Sequence, residues 1–332
     1  MLLVKYFGLV IEESNYTEPR SSFLSDGLFR FTQPKFLNDK MSEAKLFPYF
    51  NEFSPADLDW AKERFQKDGG DINDSLDLAL LKKFYLERPL DDRYGDAFPH
   101  LVESQFGYSS MKEFDKEQVN KKVQEINNQI IEKISAACGV FSLCKSVTST
   151  HMWNHYASEG QGVALIFDET HEFFMRNIVK DVTYEISKRA SVTYYRGSWR
   201  INGMPVKDWN SINKPEHLND LMYKLLFSKS PDWEQEEESR IVCSLVDCDE
   251  AKGKFFEFYD SSVDKLLKYH ECYLKKIPFS AFNTLVLGYG IAPEHKKSII
   301  DRIKANTELA HLKLKSAEYD IFGELELIDI EY

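Results

Sequence analysis

The sequence predicts a mixed α+β fold, one domain over residues 1–332 with a helical insertion at 54–137. Three observations predict it. Short β-type apolar runs occupy both the early and the late parts of the chain. Helical periodicity concentrates between residues 54 and 137. No internal repeat, low-complexity tract or linker separates the two. With 332 residues, 43% hydrophobic and 14% aromatic, the chain can bury a sizeable core.

Residues 2–11 read as a first strand, 15–25 as a polar, proline-containing loop, and 27–32 as a second strand. Gln33-Pro34 marks a turn, and Asn38-Asp39 suits another turn or a helix cap. The insertion starts at Ser54, a capping serine followed by Pro55 at the first helical position, and Gly69-Gly70 ends its first helix. Residues 75–87 form a second helix stopped by Pro89. The longest helix covers 111–137, where Val119, Val123, Ile126, Ile130 and Ile134 recur at four, three, four and four. Strands return at 140–144, 163–168, 182–184 and 192–195, with a short helix at 149–157 and an amphipathic one at 217–228. The remainder reads as a strand at 255–259, a helix at 263–273, a strand at 282–290, a helix at 293–304 and strands at 311–315 and 325–330.

The net charge is −12 and the pI about 5.3. A field of that sign repels nucleic acid and anionic membranes, so a polyanionic partner requires a local basic patch. Five cysteines without a CxxC pair do not make a disulfide framework, which points to a reducing, cytoplasmic location. The first apolar run is interrupted by Lys5 and reads as a strand, not a signal peptide. No run reaches the length of a membrane span, so no membrane association is expected.

Four stretches contain residues suited to chemistry. In 228–246, SKSPDWEQEEESRIVCSLV, an extended chain from Glu236 puts Glu236, Glu238 and Arg240 on one face, three residues beyond Trp233. Residues 241–246 then read as a strand buried on both sides. A fixed carboxylate can hold a ribose hydroxyl, stabilise an oxocarbenium ion, bind a metal or act as a base. A solvated strand edge explains the same charges. In 149–157, STHMWNHYA, His151 and His155 share a helix face, but the motif lacks the glutamate of HExxH and a third ligand, so no metal is assigned. Trp153 and Tyr156 suit a planar ring such as nicotinamide or adenine, or are core anchors. Lys5-Tyr6 and Arg30, flanked by aromatics, suit a phosphate or a strand edge. Residues 184–200 interleave Lys188, Arg189 and Arg200 with Tyr184, Tyr194, Tyr195 and Trp199, as single-stranded nucleic-acid sites do, and as a plain hairpin also does. Neither Gly160-x-Gly162 nor Gly288-Tyr289-Gly290 carries the dinucleotide fingerprint.

Taken together, LVKYFG, FTQPKFLND, VFSLCKS, MWNHYASEGQGVALIFD, VTYY, WEQEEESR and LVLGYG resemble, in order, the bacterial family catalogued as domain of unknown function 2971. Phe7 stands where that family's pattern has an arginine. Leu37 and Lys40 replace a phenylalanine and a proline around Asn38-Asp39. The layout is also similar to the ADP-ribosyltransferase superfamily, and that resemblance implies its mixed or antiparallel β core. It implies Glu238 as the catalytic residue at the ribose and Glu236 as the residue orienting the acceptor. NAD, as substrate, would be bound by Lys5, Tyr6, Arg30, Ser142, Trp153, His155 and Tyr156, with Arg240, Trp233, Asn38 and Asp39 orienting the site. It further implies a toxin or antiphage-defence effector with an RNA, DNA or protein acceptor and an antitoxin or chaperone partner. The alternatives are a metal-dependent nuclease or hydrolase using the same acids with His155, and a non-catalytic module binding a nucleotide or a partner chain.

Overall fold

The computed structural model describes residues 2–12, 15–39, 42–71, 77–87, 107–206, 215–260 and 264–332. Its centre is an eight-stranded mixed sheet. The strands run in the order Leu325–Asp329, Lys313–Tyr319, Phe282–Leu287, Val163–Phe167, Leu3–Phe7, Cys138–Cys144, Glu238–Ser244 and Lys180–Asp181. All neighbours are antiparallel except Phe282–Leu287 and Lys313–Tyr319. That parallel pair needs a crossover, which the helix Pro293–Ala305 provides. Smaller sheets of four, three and two strands surround it.

The strand Leu3–Phe7, here the N-terminal strand, lies fifth in this order and so within the sheet. Its neighbour Cys138–Cys144, the central strand, buries both faces. Phe141 and Leu143 face a phenylalanine-rich core, and Cys138 and Val140 face a second core. In the first core Phe29 meets Phe23, Phe141, Phe167 and Phe282 at ring-centroid distances of 5.4 to 5.7 Å. These are stacked and edge-on arrangements that add to the burial itself. The second core takes the apolar stripe of the long helix Met111–Ser135, with Val119, Val123, Ile126 and Ile134 against Val192 and Leu225. The helices Pro55–Lys67, Leu78–Tyr85 and Met111–Ser135 all fall within residues 54–137. Ser54 caps the first of them in a capping box with Asp57, as the serine-proline signal predicts. Residues 75–76, predicted helical, and residues 89–106 of the irregular stretch expected at 89–107 lie outside the described residues.

Three expectations are corrected. Residues 15–25 are not a plain loop: Asn15–Pro19 pairs with Leu9–Glu12, and Phe23–Asp26 is a helical turn. Residues 264–273, the described part of the helix expected at 263–273, are not helical. Lys265–Lys276 is a twelve-residue strand paired on one side with Glu250–Asp260 and on the other with Leu28–Phe31. Its leucines, lysines and glutamate favour helix locally, but Glu250–Asp260 pairs with it from Lys265 to Leu274, Leu28–Phe31 pairs with its last four residues, and these partners win. The strand Glu238–Ser244 ends before Val246, which is 88% exposed. The basic-aromatic stretch at 184–200 forms the antiparallel pair Ser191–Tyr195 and Ser198–Ile201. Arg200 is buried against Asp57, Tyr194 against Asp115, and Arg189 against the Ser42 carbonyl, so these groups face the interior. No described helix is long and apolar enough to cross a membrane.

Candidate functional site

The two acids do not reach the site along one extended strand. Pro231–Glu236 is a 3₁₀ helix, and Glu237 follows with φ 45°, a left-handed conformation rarely adopted by a side chain of this kind. The strand begins only at Glu238. The sharp turn nevertheless brings the side chains together, because both acids meet Lys229. Its Nζ lies 2.6 Å from Glu236 Oε2 and 3.4 Å from Glu238 Oε2, over the Trp233 ring at 4.7 Å. Glu238 and Arg240 then alternate onto one face of the strand, opposite Cys144 and Ser142. Arg240 donates Nε to Glu238 Oε1 at 2.7 Å and Nη2 to Oε2 at 2.9 Å, a two-pronged pair. It also binds Glu43 and the Leu226 carbonyl. Arg240 is 1% exposed, and Glu43, Lys229, Glu236 and Glu238 are all buried.

This network forms one wall of a cleft of about 440 Å³. The cleft opens beside the short pairing of the N-terminal and central strands, which meet at Val4 opposite Cys144. Lys5 lines it from the first strand, with Nζ donating to the Ser142 carbonyl at 2.8 Å and lying over the Phe141 ring at 4.9 Å. Ser142 lines it from the second, and its hydroxyl bonds the Glu238 carboxylate. Tyr156 donates its hydroxyl to Glu236 Oε1 at 2.5 Å and is also bonded by Asn38. Asp39 lies just behind: its N–H donates to Glu43 Oε2 and its carboxylate accepts from Ser42. The turn at 38–39 thereby fixes both Tyr156 and Glu43. Arg30 lines the cleft from an exposed position, where its guanidinium also donates to the Glu271 carbonyl.

Other candidates are elsewhere. Trp153 is fully buried behind the wall. Its Nε1 donates to the Val147 carbonyl at 2.8 Å, and its ring packs edge-on to Tyr6, which does line the cleft. It acts as a core anchor that steadies Tyr6. His155 is exposed and packs against His151 with ring centroids 4.4 Å apart and planes tilted by 46°, and it is not part of the cleft lining. The glycine pairs bond to each other, Gly288 N–H to Gly162 O and Gly290 N–H to Gly160 O. Gly162 is needed there because a Cβ would sit 2.0 Å from the Phe7 carbonyl oxygen.

The electrostatics follow from burial and pairing. Desolvation lowers the Lys5 ammonium to about 8, against the opposing pull of Glu238 and Glu236. Burial alone would raise the Glu238 carboxyl, but Arg240, the Ser142 hydroxyl and Lys229 outweigh it and hold the group down to about 2. Glu43 goes the other way, pushed up by desolvation. For Lys229, desolvation is overcome by Glu238, Glu43 and Glu236, and the ammonium is held charged. Tyr156 is raised by burial and by Glu236, so its hydroxyl stays protonated and donating. The depressed Glu238 value makes acid weaken the fold. Its contribution is present in full above the ordinary 4.5, amounts to about 3 kcal/mol, and is lost as pH falls toward 2. Glu43, shifted upward, offsets part of that loss. Urea midpoints measured from pH 6 to pH 3 are expected to fall for the wild type and to fall less for Glu238→Gln; equal slopes would contradict the pairing.

Among the described residues, no group of three or more His, Cys, Asp or Glu side chains is placed to hold a metal. The carboxylate oxygens of Glu236 and Glu238 are instead engaged by Lys229, Arg240 and Tyr156. Residues 152–241 match the family described as Protein of unknown function (DUF2971). The DUF2971 match thus begins at the MWNHYA helix and ends just past Arg240, enclosing Tyr156, Lys229 and both acids. Lys5, Asn38, Glu43 and Ser142 join the site from outside it. No curated protein and no solved structure matches the chain.

Sequence reasoning assigned no role in this site to Lys229 or Glu43, and named Tyr184 only within the basic-aromatic stretch at 184–200. Tyr184 accepts the Glu238 backbone N–H at 2.8 Å. For Lys229 a signal exists, a cation seven residues before Glu236, just ahead of the acidic run. For Glu43 there is none, since its partner Arg240 is 197 residues away.

Proposed function

We propose that the chain is an NAD-dependent ADP-ribosyltransferase, built on a divergent form of that superfamily's fold. We read it as a toxin or antiphage-defence effector that modifies a nucleic acid or protein. One observation carries the reading: Glu238, buried and held ionised, lies on the wall of a nucleotide-sized cleft beside a second acid, Glu236. In this mechanism Glu238 accepts a hydrogen bond from a ribose hydroxyl. The C1′–N bond breaks, its electron pair leaves with nicotinamide, and the oxocarbenium ion is stabilised by the carboxylate. Glu236 takes the proton of the acceptor nucleophile as that nucleophile bonds to C1′. Lys5, Ser142 and Tyr156 supply polar contacts, and Arg30 meets a phosphate at the cleft.

The second reading, a non-catalytic nucleotide-binding module, is favoured by the saturation of Glu238: both its oxygens are already bonded by Arg240, with Lys229 alongside. Nicotinamide release from NAD by the purified chain, with RNA, DNA and protein acceptors, separates the two. Thermal stabilisation by NAD without release supports the module. Neither stabilisation nor release would end both NAD readings. Lys5 adds a sign: NAD affinity is expected to weaken as pH rises through about 8, where the ammonium loses its charge, and to be flat in Lys5→Met.

A further inference from the structure

Away from the cleft, the strand Glu238–Ser244 ends at a pair of thiols that the proposed reaction does not use. Cys243 is buried in the phenylalanine-rich core, and Cys248 lies partly buried against the same core after the 3₁₀ turn Leu245–Asp247. Their sulfurs are 3.9 Å apart. Both backbone anchors of the turn are in place: Leu245 N–H donates to the Ala137 carbonyl and Cys248 N–H to the Leu245 carbonyl. The side chain of Lys275 donates to the Asp247 carbonyl at 2.6 Å, which sets a cation beside Cys248.

We propose that Cys243 and Cys248 form a peroxide-oxidisable dithiol, with Cys248 as the reacting thiol and Cys243 as the resolving one. The assignment follows from access and charge. Cys248 is the partly exposed member. The hydrogen bond from Cys243 lowers its thiol, and Lys275 adds to that against the penalty of burial. Cys243 is 8% exposed, with its proton held more firmly by that hydrogen bond and by burial. In the first step the Cys248 thiolate attacks one oxygen of hydrogen peroxide. An S–O bond forms, the O–O bond breaks, and hydroxide leaves, giving a sulfenic acid. In the second step the Cys243 sulfur attacks the Cys248 sulfur. The S–S bond forms, the S–O bond breaks, and the hydroxyl leaves as water with the thiol proton. Two thiols are thereby oxidised by two electrons and one peroxide is reduced. Closure to a bond of about 2.0 Å requires about 2 Å of sulfur movement, within reach of a side-chain rotation at the exposed member.

Both cysteines fall in one tryptic peptide, residues 241–252. The native full chain is treated with hydrogen peroxide, alkylated with N-ethylmaleimide under denaturing conditions, digested and weighed. Expected is a 241–252 peptide two hydrogens lighter and carrying no alkyl group, reverting to the doubly alkylated form after dithiothreitol. In Cys243→Ser the sulfenic acid of Cys248 persists and is captured by dimedone, whereas in Cys248→Ser position 243 remains an alkylatable thiol. The proposal is overturned if the wild-type peptide stays doubly alkylated. It is also overturned if Cys248 proceeds to sulfinic acid unpaired, or if it cross-links to its other neighbour, Cys272, instead.

Discussion

Replacing Arg240 by methionine is expected to destabilise the fold by about 3–5 kcal/mol, the cost typical of breaking a buried ion pair by removing one partner. Arg240 is 1% exposed and bonds Glu238 through Nε and Nη2, Glu43 also through Nη2, and the Leu226 carbonyl through Nη1. Without it, two carboxylates remain buried with Lys229 as the nearest cation, and one of them must take up a proton. For a chain of this length that loss corresponds to a fall in Tm of roughly 5 °C. Arg302→Met is the matched comparison. Arg302 pairs with Glu18 where both side chains are about a third to a half exposed, and less than about 1 kcal/mol is expected. Urea denaturation of both variants measures the contrast, and equal midpoints would mean that Arg240 does not neutralise the buried acids.

The second large effect concerns chemistry. On the transferase reading, Glu238→Gln removes the negative charge that meets the developing oxocarbenium ion, and nicotinamide release is expected to fall by about 10²–10³-fold. KM for NAD is expected to change less, since an amide still accepts a ribose hydrogen bond. Glu236→Gln is the informative companion. It leaves Glu238 with Arg240 and takes away the acid assigned to the acceptor, so transfer to a macromolecule is expected to suffer more than simple NAD hydrolysis. Folding of each variant is followed by circular dichroism, because Lys229 loses an ionic partner in both. Undiminished nicotinamide release by a folded Glu238→Gln protein would remove Glu238 from the reaction.

The parts of this architecture that could be read from the sequence are those with local causes. The long helix Met111–Ser135 carries its stripe within its own residues, and Ser54-Pro55 announces a helix start whatever the rest of the chain does. Val163–Phe167 is a buried strand by its composition alone. Lys265–Lys276 carries helix-favouring residues, and its strand character comes from its partners, residues 250–260 along most of its length and 28–31 at its last four positions, and not from itself. The site divides the same way. Lys5, Ser142, Tyr156, Glu236 and Glu238 were named from motifs and do line one cleft. The left-handed Glu237, which breaks the presumed extended run, has no signature in EQEEESR. Trp153 and His155 illustrate the limit of a motif. Neighbours in sequence on a short helix point in different directions, one into the core and one to solvent.

The position of the N-terminal strand has a consequence for how the cleft comes into being. Leu3–Phe7 lies between Val163–Phe167 and Cys138–Cys144, and Lys5 cannot face Glu238 until more than two hundred further residues have been made. Such distant pairing forms slowly, and both edges of this strand wait unpaired until residues 138–167 have been made. The wall that carries Glu238 is therefore added to the cleft after the walls that carry Lys5 and Ser142.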